Sequence, residues 1–190
     1  SIKTELGGAI EEEQDQLNEQ LMFFVAGMLM VYILLAVPLK SYSQPMIIMS
    51  VIPFGFVGAV IGHFIIGIDM SMMSTFGLVA AAGVVINDSL VMTDYVNQMR
   101  KQGLSTIKAV VEAGCVRFRA ITLTSITTFI GLVPLMATAN PATFFIIPMA
   151  ISLAFGVLFA TVITLFLVPC LYLILHDFTG HTDSKEERAL

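Results

Sequence analysis

Residues 120–175 read AITLTSITTFIGLVPLMATANPATFFIIPMAISLAFGVLFATVITLFLVPCLYLIL and contain no Asp, Glu, Lys, Arg or His. A run of that length without an ionisable acid or base cannot be the core of a domain in a chain of 190 residues. It belongs in lipid. Working outward, the whole chain is 57% hydrophobic and 12% charged, against about a quarter charged in an ordinary soluble protein. Its mean hydropathy is +0.90. A membrane-spanning helix needs about 20 mostly apolar residues, since each rises ~1.5 Å and the hydrocarbon is ~30 Å thick. Five stretches qualify, at 21–39, 45–68, 71–96, 120–137 and 144–175. They are too long and too uniformly apolar for barrel strands, which alternate. The expected fold is all-α, a polytopic bundle of five transmembrane helices.

The remaining composition excludes several classes. The net charge is -5, but six of the fourteen acids precede Leu21 and four follow Leu175. The acidity belongs to the chain ends and points to no nucleic-acid partner. Cys115 and Cys170 lie far apart without metal-ligand spacing and read as small apolar residues. No cofactor or metal site is expected. The polar, acidic first twenty residues do not resemble a cleavable signal peptide. A chain starting at Ser1 without Met is read as a piece of a longer protein or as a processed chain.

Orientation follows from the nine Lys and Arg, which stay on the cytoplasmic side near helix ends. If the first span runs inward, Lys40, Arg100, Lys101, Lys108, Arg117, Arg119, Lys185 and Arg188 are all cytoplasmic and only Lys3 is outside. The amino terminus is then outside and the tail, 176–190, cytoplasmic. Between the third and fourth spans, Gly103 breaks the helix and Ser105 is a candidate cap. Leu104, Ile107, Val110, Val111, Gly114 and Phe118 recur at helical spacing, with Lys108 and Glu112 four apart. This pattern predicts a short amphipathic helix, about 105–117, along the inner membrane surface. Kinks are expected at Pro53, Pro134, Pro148 and Pro169. Close helix contacts are expected at Gly58 and Gly62 and along Ala80 to Gly83.

Chemistry concentrates in GLVAAAGVVINDSLVMTDYVNQ, residues 77–98, which carries Asn87, Asp88 and Ser89 inside an apolar span. Asp88 lies roughly 18 Å along the helix from Arg100, well below the headgroups. A bare carboxylate there costs about 2.5 to 3.5 kcal/mol and usually marks an ion or proton path. Desolvation and a cationic neighbour act on its ionisation in opposite senses, so such a group can load and release protons near neutral pH. The alternative is a permanently protonated or hydrogen-bonded packing residue. Asp94 is about 240° round the helix from Asp88 and near the membrane boundary, solvated or paired with Arg100 or Lys101.

A second polar patch, Thr122, Thr124, Ser125, Thr127 and Thr128, opens the fourth span after Arg117 and Arg119. These hydroxyls either relay protons or bond their own helix carbonyls. His63, with no second ligand at metal spacing, reads as an interfacial or packing residue.

Taken together, VPLKSYSQPMIIMSVIPFGFVGAVIG, the Asn87–Asp88–Ser89 helix and GLSTIKAVVEAGCVRFRAITLTSITTFIGLVPLM resemble the AcrB-like hydrophobic and amphiphilic efflux pumps of the resistance-nodulation-division superfamily. They look like that family's turn between its eighth and ninth membrane helices, its tenth helix, and its connector with the eleventh. The resemblance implies the carboxy-terminal membrane half of a proton-driven antiporter in the bacterial inner membrane. Residues 1–20 would be the exit from the periplasmic domain and 21–175 the transmembrane bundle. Implied partners are the amino-terminal membrane half and periplasmic domain of the same pump, two further copies in a homotrimer, a periplasmic adaptor and an outer-membrane channel. In the family two Asp on the fourth helix exchange protons with a Lys on the tenth and a Thr on the eleventh. By position the Thr falls on Thr124 and a preceding basic residue on Arg117, while the Lys position holds Asn87, which cannot be a counter-ion. The implied proton relay is therefore Asn87, Asp88, Thr124, Ser125 and Arg117, with Asp88 as the carrier. The same NDS and TSxTT elements also look like the SecD/SecF protein-export auxiliaries. A heavy-metal pump would want paired Met or Cys within the bundle, whereas Met70, Met72 and Met73 sit at an external turn. Two other classes are an intramembrane aspartyl protease using Asp88 and Asp94, against which their helical phase and different depths argue, and a non-catalytic membrane scaffold.

Overall fold

The computed structural model describes residues 2–137 and 144–179, all helix and short connections. The order is α1 (Ile2–Leu39), α2 (Gln44–Met49), α3 (Ile52–Ile66), α4 (Met72–Lys101), α5 (Thr106–Met136) and α6 (Ile147–Thr179). Among the described residues, five helices are long and apolar enough to cross a membrane, with α2 and α3 counted as one. The chain is an all-α, multi-pass membrane helix bundle. It divides into two compact units, Ser1–Pro45 and Met46–Leu190. The tail expected at 176–190 lies outside the described residues beyond Thr179, as do the connection residues 138–143.

In the first unit, α1 does not pause where polar sequence gives way to apolar sequence at Leu21. Glu and Gln are good helix formers and nothing between Ile2 and Val37 forbids the next turn. Leu21, Phe23, Leu29, Ile33 and Val37 are exposed, as on a rod meant for lipid. Pro38 falls in the last turn, and Lys40, in the left-handed region at φ 50°, ends the helix. Beyond it the Tyr32 hydroxyl donates to the Tyr42 carbonyl at 3.0 Å.

The second unit is built round α6, which touches α3, α4 and α5. Close approach comes from glycines. A Cβ on Gly58 would lie 2.5 Å from the Phe159 Cβ and 2.6 Å from the Phe155 carbonyl oxygen. One on Gly62 would strike the Phe155 ring, and one on Gly77 the Met149 carbonyl oxygen. The expected Gly58 and Gly62 contact is thus made, against α6. Of the small run at 80–83, only Ala81 is fully buried, 3.2 Å from a Cβ built on Gly156, while Gly83 meets nothing. In lipid such packing supplies dispersion contacts where no hydrophobic drive exists. Ile47, Val51, Val85, Ala160 and Val168 form one buried cluster.

Proline explains the split second span. Pro53 has no N–H to continue α2, so the helix restarts with Pro53 in the first turn of α3. Gly67, left-handed at φ 76°, caps α3 by donating to the His63 carbonyl at 2.9 Å. Pro148 lies in the first turn of α6, and α5 and α6 run on through Pro134 and Pro169.

One sequence expectation needs correction. Where a surface helix at 105–117 and a separate span from 120 were predicted, α5 is a single helix of 31 residues. Arg117, Phe118, Arg119 and Ala120 contain no breaker, so nothing stops the helix. Its buried side is also different from the predicted stripe. Ala109, Val110 and Ala113 pack with Val96 and Tyr172, whereas Ile107, Val111 and Phe118 are exposed. The helix spends its first turns against its neighbours.

At this end of the bundle the Tyr172 hydroxyl donates to Asn97 Oδ1 at 2.7 Å. Arg100 Nη2 and Thr106 Oγ1 both reach His176 Nε2, at 3.3 and 3.0 Å. These contacts tie the ends of α4 and α6 to the start of α5. Tyr172→Phe removes only the hydroxyl, and thermal unfolding in detergent should register a loss of about 1 kcal/mol.

Candidate functional site

Asp88 sits in the middle of α4, 8% exposed, and its Oδ2 is buried without a hydrogen-bond partner among the described residues. Ser89 is fully buried and its Oγ is likewise without a partner there. Helical phase accounts for both. Val85, Asp88, Ser89, Met92, Thr93 and Val96 share the packed side of α4, whereas Asn87, 100° away, is exposed. Thr93 donates its hydroxyl to the Ser89 carbonyl at 2.9 Å, one turn back.

On α5, Ser125 is buried, donates to the Ile121 carbonyl at 3.1 Å, and accepts from Thr161 on α6 at 2.5 Å. Thr124 is exposed and bonds the Ala120 carbonyl at 2.9 Å. Thr127 and Thr128 also turn back on their own helix. For these three the self-satisfied reading of the hydroxyl stripe is the one realised. Thr122 differs, for its Oγ1 is buried with no partner among the described residues. Arg117 lays its guanidinium over the Tyr95 ring, 5.1 Å from the centroid, and its Nε is buried. A cation over an aromatic face keeps part of the solvation it loses on burial.

Of the five predicted relay residues, Asp88 and Ser125 are therefore buried between helices, while Asn87 and Thr124 lie on open faces. Arg117 is engaged with Tyr95, two helical turns from Asp88. Asp94 is exposed and accepts from Gln98 at 2.7 Å. With one acid buried and the other on the surface, the protease reading loses its carboxylate pair.

Of the two readings of His63, interfacial or packing, packing is the one realised, for the side chain is buried. Its Nδ1–H donates to the Ile68 carbonyl at 2.9 Å, and Nε2 lies 3.1 Å from Ser152 Oγ on α6. No group of three His, Cys, Asp or Glu able to hold a metal occurs among the described residues. Sequence reasoning missed Thr161 and Thr164, both buried on α6. Their signal was two hydroxyls three apart in an otherwise apolar run, which one helix alone cannot assign to a face.

The profile of the AcrB/AcrD/AcrF family matches residues 1–176. The chain belongs to this family. It is 28% identical over 174 residues to "Multidrug resistance protein MdtC" of Proteus mirabilis (strain HI4320), a stretch covering 91% of this chain and 17% of that protein. Its fold is that of a solved heavy metal efflux pump (crystal form II), with a TM-score of 0.76 at 23% identity over 87% of this chain and 17% of that one. The chain thus spans 17% of the length of each relative. As a member of the AcrB/AcrD/AcrF family, it is a membrane portion of a resistance-nodulation-division efflux pump.

Proposed function

We propose that this membrane portion couples inward proton movement to export of hydrophobic or amphiphilic compounds, with Asp88 as the proton carrier. The observation that carries the reading is a buried carboxyl oxygen in the middle of the apolar, membrane-length helix α4, with no hydrogen-bond partner among the described residues. Such a group is expensive to keep ionised in lipid, and a function that needs it to change protonation explains its presence. Ser125 belongs to the path on the α5 side. Asn87 and Thr124, on open faces, meet the amino-terminal membrane half of the same pump. Arg117 anchors the cytoplasmic end over Tyr95. The pump sits in the inner membrane with its amino terminus periplasmic and its carboxyl terminus cytoplasmic. It works as a homotrimer with its periplasmic domain, an adaptor and an outer-membrane channel.

The direct test places the full-length pump in proteoliposomes with an imposed pH gradient and an amphiphilic dye. Dye movement should be accompanied by opposite proton flow and stop when a protonophore collapses the gradient. Dye movement indifferent to the gradient would overturn the reading.

A further inference from the structure

Three contacts set the register of α4 against α6: a Cβ on Gly77 would lie 2.9 Å from that of Ser152, Ala81 packs on Gly156, and Asn97 bonds Tyr172. In each pair the partners stand 75 positions apart, so the helices run side by side in the same direction along this length. Midway between these points, the position level with Ser89 is Thr164, and both are buried. Thr164 donates to the Ala160 carbonyl at 2.8 Å, which leaves its oxygen free to accept. One turn along α6, Thr161 is bonded to Ser125. On the α4–α5 side, Tyr95 meets Arg117. Two turns back along α4 is Asp88, and two turns on along the oppositely directed α5 is the stretch holding Thr122 and Ser125. Six polar side chains from three helices therefore share one depth: Asp88, Ser89, Thr122, Ser125, Thr161 and Thr164. Three of their oxygens, Asp88 Oδ2, Ser89 Oγ and Thr122 Oγ1, are buried without a partner among the described residues.

We infer that this layer is a buried water-binding site through which the proton of Asp88 passes to the Ser125–Thr161 hydroxyl pair, making α6 part of the proton path. The inference rests on the reading of Asp88 as the carrier. A buried water needs two to four polar partners, and three unpaired oxygens lie at this level of the bundle. The proton leaves the carboxyl for a water oxygen, that water gives one of its own hydrogens to the next hydroxyl, and the hydroxyl releases its own to the aqueous phase. Each water and hydroxyl oxygen ends with as many hydrogens as it began with, the carboxyl becomes a carboxylate, and the proton is left in bulk water. The other ionisable groups on the packed helices are distant or engaged. His63 on α3 is bonded to Ile68 and Ser152, Asp94 on α4 is exposed, and Arg117 on α5 lies over Tyr95. Arg119, also on α5, is exposed, and along α6 no Asp, Glu, Lys, Arg or His precedes His176.

The test uses the full-length pump in proteoliposomes with Thr161→Val, which keeps the branched shape and removes only the hydroxyl. Proton-coupled dye transport should slow about tenfold, the factor expected from one lost hydrogen bond in the path. Its pH profile should be displaced, and Thr161→Ser should restore both. Wild-type rate and pH profile in Thr161→Val, with coupling lost in Asp88→Asn, would overturn the water layer and leave Asp88 in place. Unchanged coupling in Asp88→Asn would instead remove the carrier, and the layer with it. Should Thr161→Val not accumulate in the membrane, Ser89→Ala reads the same layer from α4, and an unchanged rate there also overturns it.

Discussion

Asp88→Asn in the full-length pump is expected to abolish proton-coupled export, lowering it at least about a hundredfold, the lower range for loss of an acid–base group. Asn matches Asp in size and fits the same space on the packed side of α4, so the helices should assemble unchanged. What it lacks is a proton it can release. The two outcomes to compare are drug resistance in cells and thermal stability of the purified pump. Resistance should fall to that of cells without the pump. Stability should hold or rise, because an amide is cheaper to bury than a carboxylate, which costs about 2.5 to 3.5 kcal/mol at the membrane centre. Unchanged resistance with unchanged proton flux would remove Asp88 from the mechanism.

The largest structural effect is expected at Gly77. A Cβ there would overlap the Met149 carbonyl oxygen and stand 3.0 Å from the carbonyl carbon, so the clash is with backbone and no side-chain rotation relieves it. Helices α4 and α6 must separate. Gly77→Ala should therefore destabilise by about 1–3 kcal/mol, as overpacking does, and Gly77→Leu by more. Gly83→Ala, six residues further on the same helix, meets nothing within 4 Å. It should be neutral or gain up to about 1 kcal/mol, since Ala is the better helix former. Thermal unfolding of the two variants in one detergent gives the comparison. Equal stabilities would mean that α4 and α6 do not meet at Gly77.

Much of this contrast is invisible in one dimension. Gly77, Gly83 and the alanines between them look alike in sequence, and only the neighbour across the interface distinguishes a contact from an open face. The same holds for the hydroxyls. Thr122, Thr124 and Ser125 fall within one turn of α5, yet Thr124 is exposed and self-bonded, Thr122 buries an unpaired oxygen, and Ser125 bridges to α6. A breaker is different in kind. Pro53 and Gly103 act through their own backbone, so the break after α2 and the end of α4 could be read directly. The expected break near residue 118 had no breaker behind it, only a change from amphipathic to apolar pattern, and α5 runs through.

From the sequence alone came the number of apolar helices long enough to span a membrane, the helical class and the family, because each depends on length, hydropathy or local sequence pattern. Tertiary structure alone decided which polar groups are buried, that Ser125 is joined to Thr161, and that Ser89 stands level with Thr164. Those are properties of interfaces, set by how small residues let α6 approach α3 and α4, and an isolated helix carries no information about what will face it.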